Sequence, residues 1–405
     1  MVISLAGMDS SSSNPGRLPQ LYTTVFTDPR KMIDTLGIEL ESRARESNIV
    51  YSHAYKLAHQ LCSGEHTKIS PDQFWVACYS RQNGGVSLEL VLSCTEGPLG
   101  PYPIFIYSHR PASQLLSDMT PHPLLGACVS SLATTLNGLV PPSRVFSVFS
   151  LAPVTKLFAE KWISLTKNKY PLVVSPWYSA TSSYCTIETF RGARSWEGTE
   201  NGAGPASDHV MRIATMDDLD QCAELCKAFA ETGPPYELSL SQAREEAEGM
   251  IRANQLWVYQ LPFAAPDSPV SSEPNQGSPH PKTSIATVVA VTRSTPSVSA
   301  ITKVYTDVAC RNKGYAERLV AHVTNQLLRK PLSDQGTCLQ VEAHTLEAKK
   351  PQSVVLYVGH TLDATRVYRR VGFVGLEDDV HENKEVEGVE DWLELGFAGA
   401  NLGHW

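Results

Sequence analysis

The order in which strand-like and helix-like segments alternate in the C-terminal half is the feature that most constrains the fold. Apolar side chains recurring at i, i+3, i+4 and i+7 predict two helices, one through Ala316, Leu319, Val320 and Val323, the other through Ala364, Val367, Tyr368 and Val371. Runs rich in β-branched residues predict strands at 256–261, 284–292, 298–306 and 354–358. The remaining segments predict a strand at 209–213, helices at 216–231 and 239–254, and last strands at 373–376 and 392–397. The element order of the C-terminal half is therefore β-α-α-β-β-β-α-β-α-β-β.

The N-terminal half shows a weaker version of the same order. Helical periodicity falls at 31–45, 50–61, 123–136 and 152–166, and strand-like runs fall at 74–79, 87–94, 102–107, 144–149 and 184–190. No sequence similarity between the halves is visible. Element order alone therefore predicts two copies of one α/β fold.

Changes in composition predict the domain limits. A segment rich in Gly and Ser ends the first half, so we expect a domain at 21–195, a linker at 196–208 and a second domain at 209–405. A Pro/Ser-rich stretch at 262–282 cannot continue a helix or a strand and predicts an insertion within the second domain. Residues 1–20 are expected to form a disordered tail.

Charge and hydropathy narrow the class of partner and the compartment. In 405 residues, 34 Lys and Arg oppose 42 Asp and Glu, and a net charge of −8 argues against a nucleic-acid partner. The absence of any apolar run of about 18 residues argues against a membrane partner, and the lack of a basic flank on Met1–Ala6 argues against secretion. We expect a cytoplasmic protein, with a nuclear location not excluded.

The nine cysteines are scattered, which fits a reducing compartment and predicts neither a disulfide framework nor a metal site. Cys222 and Cys226 lie four residues apart on a predicted helix. Two thiolates at this spacing could bind a metal, but no second pair or nearby His completes a tetrahedral set, so we expect buried core thiols.

The segment 303–319 is the most informative for chemistry. A predicted strand is followed by a loop with Arg311, Lys313 and Gly314, and then by the start of a helix. Unpaired N–H groups at a helix start attract anions, and glycine lets the backbone approach a phosphate closely. The loop therefore predicts a pyrophosphate site. The alternative is an ordinary strand-to-helix turn with solvated basic residues.

Arg311-x-x-Gly314-x-Ala316 in this context resembles the acyl-CoA loop of the GNAT superfamily of N-acyltransferases, whose pattern is Gln/Arg-x-x-Gly-x-Gly/Ala. A second element follows in order: the strand at 354–358 with Thr361, Ala364, Tyr368 and Gly372-Phe373 is similar to a strand followed by Asn-x-x-Ala-x-x-x-Tyr-x-x-x-Gly-Phe. The resemblance covers about residues 209–405. It implies tandem GNAT-like domains of the α/β (α+β) class, each a mixed, mostly antiparallel twisted sheet with flanking helices and splayed central strands.

The resemblance also implies a function, transfer of an acetyl group from acetyl-CoA to a primary amine without a metal. The residues expected to bind CoA are Val304, Tyr305 and Thr306 on the splayed strand, Arg311, Asn312, Lys313, Gly314, Tyr315 and Ala316 at the pyrophosphate, and Thr361, Ala364 and Tyr368 beyond it. Tyr368 matches the tyrosine that protonates the departing thiolate. The alternative for Tyr368 is a core residue on the stripe of its helix.

No general base is obvious. The fourth strand has Ala300 and Thr302 where some family members carry a glutamate, so the catalytic candidates beside Tyr368 are His360 and Glu342, or a water molecule. A covalent route through Cys310 is a further alternative, because nearby positive charge would depress the pKa of its thiol.

The two halves are not expected to be equivalent. The corresponding loop of the N-terminal half, Ser108–Ser113, breaks the pattern with a proline, so we expect a degenerate copy there. The missing base and Thr361 motivate a competing hypothesis, a catalytically inactive CoA-binding or interaction protein with a GNAT fold. The amine acceptor and the oligomeric state stay open.

Overall fold

A computed structural model describes residues 2–3, 19–64, 70, 72–117, 120–193, 209–262, 283–329, 353–360, 363–376 and 386–405. The linker at 196–208, nearly all of the insertion at 262–282, and the candidate residues Glu342 and Thr361 lie outside the described residues. In the expected tail, Val2–Ile3 forms a short strand.

The N-terminal half contains five helices and eleven short or long strands among its described residues. The helices are α1 Pro29–Ser42, α2 Ala44–Ser63, α3 Ala112–Leu115, α4 Pro123–Leu139 and α5 Ala152–Leu165. The strands are β1 Val2–Ile3, β2 Gln20–Phe26, β3 Phe74–Gln82, β4 Gly85–Cys94, β5 Glu96–Gly97, β6 Gly100–Pro101, β7 Ile104–Ser108, β8 Leu116–Ser117, β9 Thr120–Pro121, β10 Ser147–Leu151 and β11 Tyr178–Thr186.

The C-terminal half continues with four helices and six strands in its described part. The helices are α6 Leu219–Ala230, α7 Leu240–Arg252, α8 Tyr315–Arg329 and α9 Ala364–Val371. The strands are β12 Val210–Ile213, β13 Leu256–Pro262, β14 Thr283–Ser294, β15 Val298–Thr306, β16 Ser353–Gly359 and β17 Asp391–Gly396. A capping box between Ser239 and Gln242 begins α7, which satisfies backbone donors that the helix itself leaves free.

The prediction of a strand at 373–376 was wrong. Gly372 has a φ of 115°, a left-handed conformation that ends α9, and the N–H of Phe373 turns back to the carbonyl of Tyr368. Phe373 and Leu376 are buried, so their apolar side chains pack in the core although their backbone forms a turn and not a strand.

Leaving aside the short strands, the two halves have the same order, β-α-α-β-β-β-α-β-α-β, running from β2 to β11 and from β12 to β17. In each half the contact between the fourth and fifth of these strands is parallel, β7 with β10 and β15 with β16, and the other pairs are antiparallel. The expected tandem arrangement of two mixed, mostly antiparallel α/β units is confirmed.

The two halves exchange their last strands. The large sheet runs β1-β2-β3-β4-β7-β10-β17-β11-β16-β15-β14-β13-β12, so β17 pairs with β10 of the N-terminal half and β11 pairs with β16 of the C-terminal half. The exchanged strands also pair with each other. Trp392, Leu393, Leu395 and Phe397 consequently belong to the hydrophobic core of the N-terminal half.

Helices cover both faces of this sheet. In the C-terminal half, α8 and α9 pack on one face with Val289, Ile301 and Leu356, and α6 and α7 pack on the other with Val258 and Val288. Helix α2 of the N-terminal half lies across β14 and β15 on the α6–α7 side. None of the helices in the described part of the chain is both long and apolar enough to cross a membrane.

Candidate active site

The central strands of the C-terminal half separate at one end. Strands β15 and β16 pair only through Val298–Ala300 and Ser353–Val355. Beyond that point β15 continues along β14 while β16 continues along β11. The result is a gap in the sheet with unpaired strand edges on both sides, as the motif resemblance implies.

Two β-bulges lie beside this gap. The register between β14 and β15 shifts around Thr292 and Thr302, whose hydroxyl groups are 2.9 Å apart. Each bulge reverses which residues face which side of the sheet. After Thr302, Val304 faces α8 while Lys303 and Tyr305 face α6 and α7. This change of face could not be read from the residue types in the strand.

The loop at 311–314 is exposed and has the backbone of an anion site. Asn312 and Gly314 adopt left-handed conformations, with φ of 62° and 75°, around Lys313, which does not. Such alternation turns successive N–H groups to one side of the chain. The Arg311 guanidinium lies 5.3 Å from the ring of Tyr305 and donates to the carbonyl of Thr306 at 3.2 Å. The loop leads directly into α8.

Tyr315 and Ala316 form the first turn of α8 and are partly buried. The Tyr315 ring stacks on Tyr259 with centroids 4.8 Å apart, and Arg318 donates to the Tyr259 hydroxyl at 3.1 Å. These contacts fix the start of the helix against β13, so the N–H groups of its first turn have a defined direction.

Tyr368 projects from α9 and is 8% exposed. Burial raises the pKa of its phenol, and nearby Tyr178 adds to the shift. Tyr178 lies on β11, the strand of the N-terminal half that pairs with β16, and its hydroxyl donates to the carbonyl of Tyr357 at 3.2 Å. A phenol that stays protonated beside the gap is suited to donate a hydrogen bond to a developing anion.

The structure separates His360 from this arrangement. Its Nδ1 lies 3.1 Å from the Ser179 hydroxyl, and its Nε2 lies 3.0 Å from Thr181 Oγ1 and 3.2 Å from Asp391 Oδ1. Because side chains alternate along a strand, Ser179 and Thr181 face the opposite side of β11 from Tyr178. Both ring nitrogens of His360 are therefore engaged away from the Tyr178 side.

A carboxyl group that the sequence did not single out lies close to Tyr178. Glu394 pairs across the strands with Tyr178 and is completely buried. Tyr236 donates a hydrogen bond to it, and Trp405 Nε1 donates at 3.2 Å. Burial raises the pKa of Glu394 to about 7. The strand exchange brings this residue beside β11 from far along the chain, which explains why spacing could not reveal it.

A second carboxylate on this side is already neutralised. Glu246 of α7 accepts from Lys303 Nζ at 2.6 Å and lies 3.6 Å from His404 Nε2. Burial alone would raise the pKa of Glu246, but the proximity of His404 and the charge and hydrogen bond of Lys303 outweigh it and lower the pKa to about 2. Glu246 is therefore an ionised, structural partner of Lys303.

The corresponding region of the N-terminal half is closed by side chains of both halves. Ser150 donates to the carbonyl of Ile106 at 2.6 Å across β10 and β7. Arg110 forms an ion pair at 2.8 Å with Glu89, and the Glu390 carboxylate accepts from the N–H of Ala112 at 3.2 Å, at the start of the four-residue helix α3. A phosphate would have to displace a carboxylate here.

The cysteines behave differently from one another. Cys222 and Cys226 are fully buried, and burial raises the pKa of each thiol to about 12, as expected of core residues. The alternative of a covalent route through Cys310 relied on a depressed pKa, but burial and the charge of Asp307 raise the pKa of its thiol, and Lys313 offsets them only in part. A protonated thiol is a poor nucleophile, which removes the reason for a covalent route.

No protein-family model matches the sequence, and no curated protein matches it. Solved structures similar to the chain include a GCN5-related N-acetyltransferase from Sphaerobacter thermophilus, with 12% identity, 94% of this chain and 96% of that chain covered, and a TM-score of 0.46. A tandem GNAT protein from the clavulanic acid biosynthesis pathway has 10% identity, coverage of 94% and 99%, and a TM-score of 0.42. A GCN5-related N-acetyltransferase from Kribbella flavida has 13% identity, coverage of 77% and 88%, and a TM-score of 0.40.

Proposed function

We propose that this protein is an acyl-CoA-dependent N-acyltransferase that transfers an acetyl group from acetyl-CoA to a primary amine. One observation carries the proposal: an exposed anion-binding loop leads into α8 beside a gap between β15 and β16, and Tyr368 is buried next to that gap. A pyrophosphate site, a slot between strands and a protonated phenol are what transfer from a CoA thioester requires.

The residues beside the gap fit a CoA ligand. Arg311, Asn312, Lys313 and Gly314 offer backbone N–H groups and positive charge to a pyrophosphate, together with Tyr315 and Ala316 at the helix start. The edge formed by Val304, Tyr305 and Thr306 would hold the pantetheine arm, and Thr361 and Ala364 would lie beyond it. The bound ligand supplies an acyl group activated as a thioester.

The transfer forms a bond between the amine nitrogen and the acyl carbon and breaks the bond between that carbon and sulfur. We assign Glu394 as the proton acceptor for the amine, because its pKa near 7 lets it exchange a proton at neutral pH. Tyr368 donates a hydrogen bond to the departing sulfur. Glu246, on the face of the sheet covered by α6 and α7, is not available as the proton acceptor, since it is held in its ion pair with Lys303.

We propose domains at 21–195 and 209–405, with one CoA site. The N-terminal domain contributes the exchanged strand β11, and its helix α2 covers β14 and β15. Its own loop region, where Glu390 bonds the N–H of Ala112, has a structural role.

Two measurements test the proposal. Calorimetric titration with acetyl-CoA should show binding, and thiol release should be detected with an amine panel. Tyr368→Phe should lower kcat roughly 10- to 100-fold with an unchanged Kd for acetyl-CoA, because it removes a group that acts only as charge develops on sulfur. Tyr170→Phe, at another buried tyrosine in the N-terminal core, is the matched control and should match the wild type.

The contradicting outcomes are separable. No heat with millimolar acetyl-CoA would rule out a CoA site altogether. Binding without thiol release, or equal rates for the wild type and Tyr368→Phe, would instead favour a CoA-binding protein without turnover.

A further inference from the structure

The face of the gap that carries α2, α6 and α7, here called the acceptor side, is formed by both halves. Ala44, at the start of α2, packs against Val298, Ala300 and Val355 of the C-terminal half. Helix α2 then continues across β14 and β15. Side chains of α2 at intervals of four residues from Ala44 therefore face the C-terminal sheet.

Arg293 projects into this interface. It pairs with Ala300 across the strands, and directly opposite residues of an antiparallel pair share a face, so the bulge at Thr292 directs Arg293 towards α2. Its guanidinium lies 5.4 Å from the ring of Tyr357, and Tyr102 and Tyr178 are near enough to affect its charge. Within the described part of the chain, its Nε is sealed from solvent without a hydrogen-bond partner, and the titratable groups that act on it are these three tyrosines.

Two further polar side chains on α2 are buried without partners. Asn48 and Ser52 follow Ala44 at intervals of four residues and are 0% and 2% exposed. Both amide atoms of Asn48 and the hydroxyl of Ser52 lack hydrogen-bond partners among the described residues. Next to Ser52, His53 contacts Tyr102, which lies near Arg293. The stripe of Asn48 and Ser52 thus runs past β14 where Arg293 projects.

Buried polar groups are almost always paired, since an unpaired one costs about 1–3 kcal/mol. The Arg293 Nε, the Asn48 amide and the Ser52 hydroxyl, each buried without a partner among the described residues, indicate a ligand with complementary oxygen atoms. A carboxylate fits best: its two coplanar oxygens match a guanidinium, and the neighbouring tyrosine rings suit a flat, singly charged group better than a doubly charged phosphate.

We propose that Arg293, Asn48 and Ser52 form a carboxylate site for the acceptor, and that the acceptor is an amino acid. The inference rests on the proposed function. Tyr178 is near both Arg293 and Tyr368, so we place the carboxylate at Arg293 and the amine of the same molecule, a few bonds away, towards the gap. A polyamine has no carboxylate for Arg293 to bind, and in a protein lysine the amine lies far from any carboxylate of its own residue.

The site can be tested without turnover. N-acetylated amino acids keep the carboxylate and lack a reactive amine, so their titration into the full-length protein reports on the carboxylate site alone. Across a panel of N-acetyl amino acids and their carboxamides, we expect at least one acid to bind and its amide to bind roughly 10-fold more weakly. Arg293→Gln should abolish the difference, and Arg293→Lys should restore part of it.

Arg252→Gln is the matched control, because Arg252 is an exposed arginine on α7 paired with Glu248 and lies outside the site. It should keep the wild-type preference. A thermal unfolding curve for each variant shows whether it is folded. If Arg293→Gln does not fold, Asn48→Asp replaces it, since a carboxylate of the same size should repel the ligand and reverse the preference.

Thiol release from acetyl-CoA with amino acids and their carboxamides as acceptors extends the test to the reaction. A kcat/KM that favours the acids in the wild type and not in Arg293→Gln supports the inference. Equal use of acids and amides, or a preference that survives in Arg293→Gln, overturns it. Acid-specific binding without any thiol release would overturn the proposed transferase and leave the carboxylate site standing.

Discussion

At the scale of single residues, the acceptor side combines groups that would be unfavourable in an ordinary core. Glu394 is buried as a carboxyl whose pKa is raised, and Asn48 and Ser52 are buried without hydrogen-bond partners among the described residues. Burying a carboxyl group or an unpaired polar side chain reduces the stability of the folded protein. Sites that bind a ligand or move a proton commonly accept such costs, which is why these residues, and not the better satisfied ones, define the candidate site.

The raised pKa of Glu394 predicts a pH-dependent stability. The folded state binds the proton more tightly than the unfolded chain, so the favourable contribution is complete below pH 4.5 and is lost as the pH rises through about 7. From pH 4.5 to 8 the wild type should lose about 3 kcal/mol more unfolding free energy than Glu394→Gln, which keeps the hydrogen-bond geometry but does not titrate. Urea unfolding across this range measures the difference, and parallel curves would contradict the assignment.

Replacing Asn48 should stabilise the protein, whereas most core substitutions destabilise it, because its amide has no hydrogen-bond partner among the described residues. Asn48→Leu replaces an unsatisfied polar group by an apolar one of similar size, so we expect the ligand-free protein to gain about 1 kcal/mol of stability while it loses affinity for N-acetyl amino acids. The control is Leu36→Asn, the reverse exchange at an ordinary buried residue. It should be strongly destabilising, because it places an amide among apolar side chains. A loss of stability in Asn48→Leu would show that its amide is satisfied.

At the scale of elements, the sequence was most informative where local rules decide the structure. The strand at 298–306 and the helix stripe ending at Val371 were predicted closely, because strand residues and periodic apolar residues act within a few positions of one another. The bulges at Thr292 and Thr302 were not predictable, since an extra residue in one strand depends on the neighbouring strand. They decide that Arg293 faces α2, so the acceptor site depends on information absent from local patterns.

The strand β2 at Gln20–Phe26 was missed for a related reason. It stands near the edge of the first repeat, and five of its seven residues are partly or fully exposed, so its apolar pattern is weak. Glu394 was missed because its partners Tyr178 and Tyr236 come from segments more than 150 residues away. Sequence reasoning thus singled out the loop before α8 and Tyr368 as candidates, but not the groups brought in by the exchange.

The loop before α8 gives a prediction at this scale. Gly314 has a φ of 75°, and no heavy atom lies within 4 Å of the place where an alanine methyl group would sit. Gly314→Ala therefore adds backbone strain of about 1–2 kcal/mol without a clash. We expect the loop to shift and the Kd for acetyl-CoA to rise roughly 10-fold. Gly64→Ala is a close match, with a φ of 76° and equally open surroundings at the end of α2, and should lower stability alone. Equal Kd values for both variants would contradict a role of the loop in binding.

At the scale of the whole molecule, the exchange of last strands makes the two repeats one folding unit. β17 fills the place beside β10, and β11 fills the place beside β16, so neither segment proposed as a domain completes its own sheet. The exchange also places Glu394 beside Tyr178, whose hydroxyl donates to the carbonyl of Tyr357 on β16. The C-terminal half therefore depends on the N-terminal half for the strand β11 and for helix α2, which lies across β14 and β15.

The halves should not fold separately. Without β17, the N-terminal half loses the burial of Trp392, Leu393, Leu395 and Phe397, worth about 6–12 kcal/mol, which equals the stability of a typical domain. Expressed alone, 1–195 and 196–405 should lack a cooperative unfolding transition, and coexpressed they should elute together and bind acetyl-CoA. Gly396→Val should prevent this reassembly, because a Cβ there would lie 2.1 Å from the indole of Trp177 on the adjoining segment. Gly138→Val, on α4 with nothing near its Cβ, is the control and should reassemble. Two halves that each unfold cooperatively on their own would show that the exchange is dispensable.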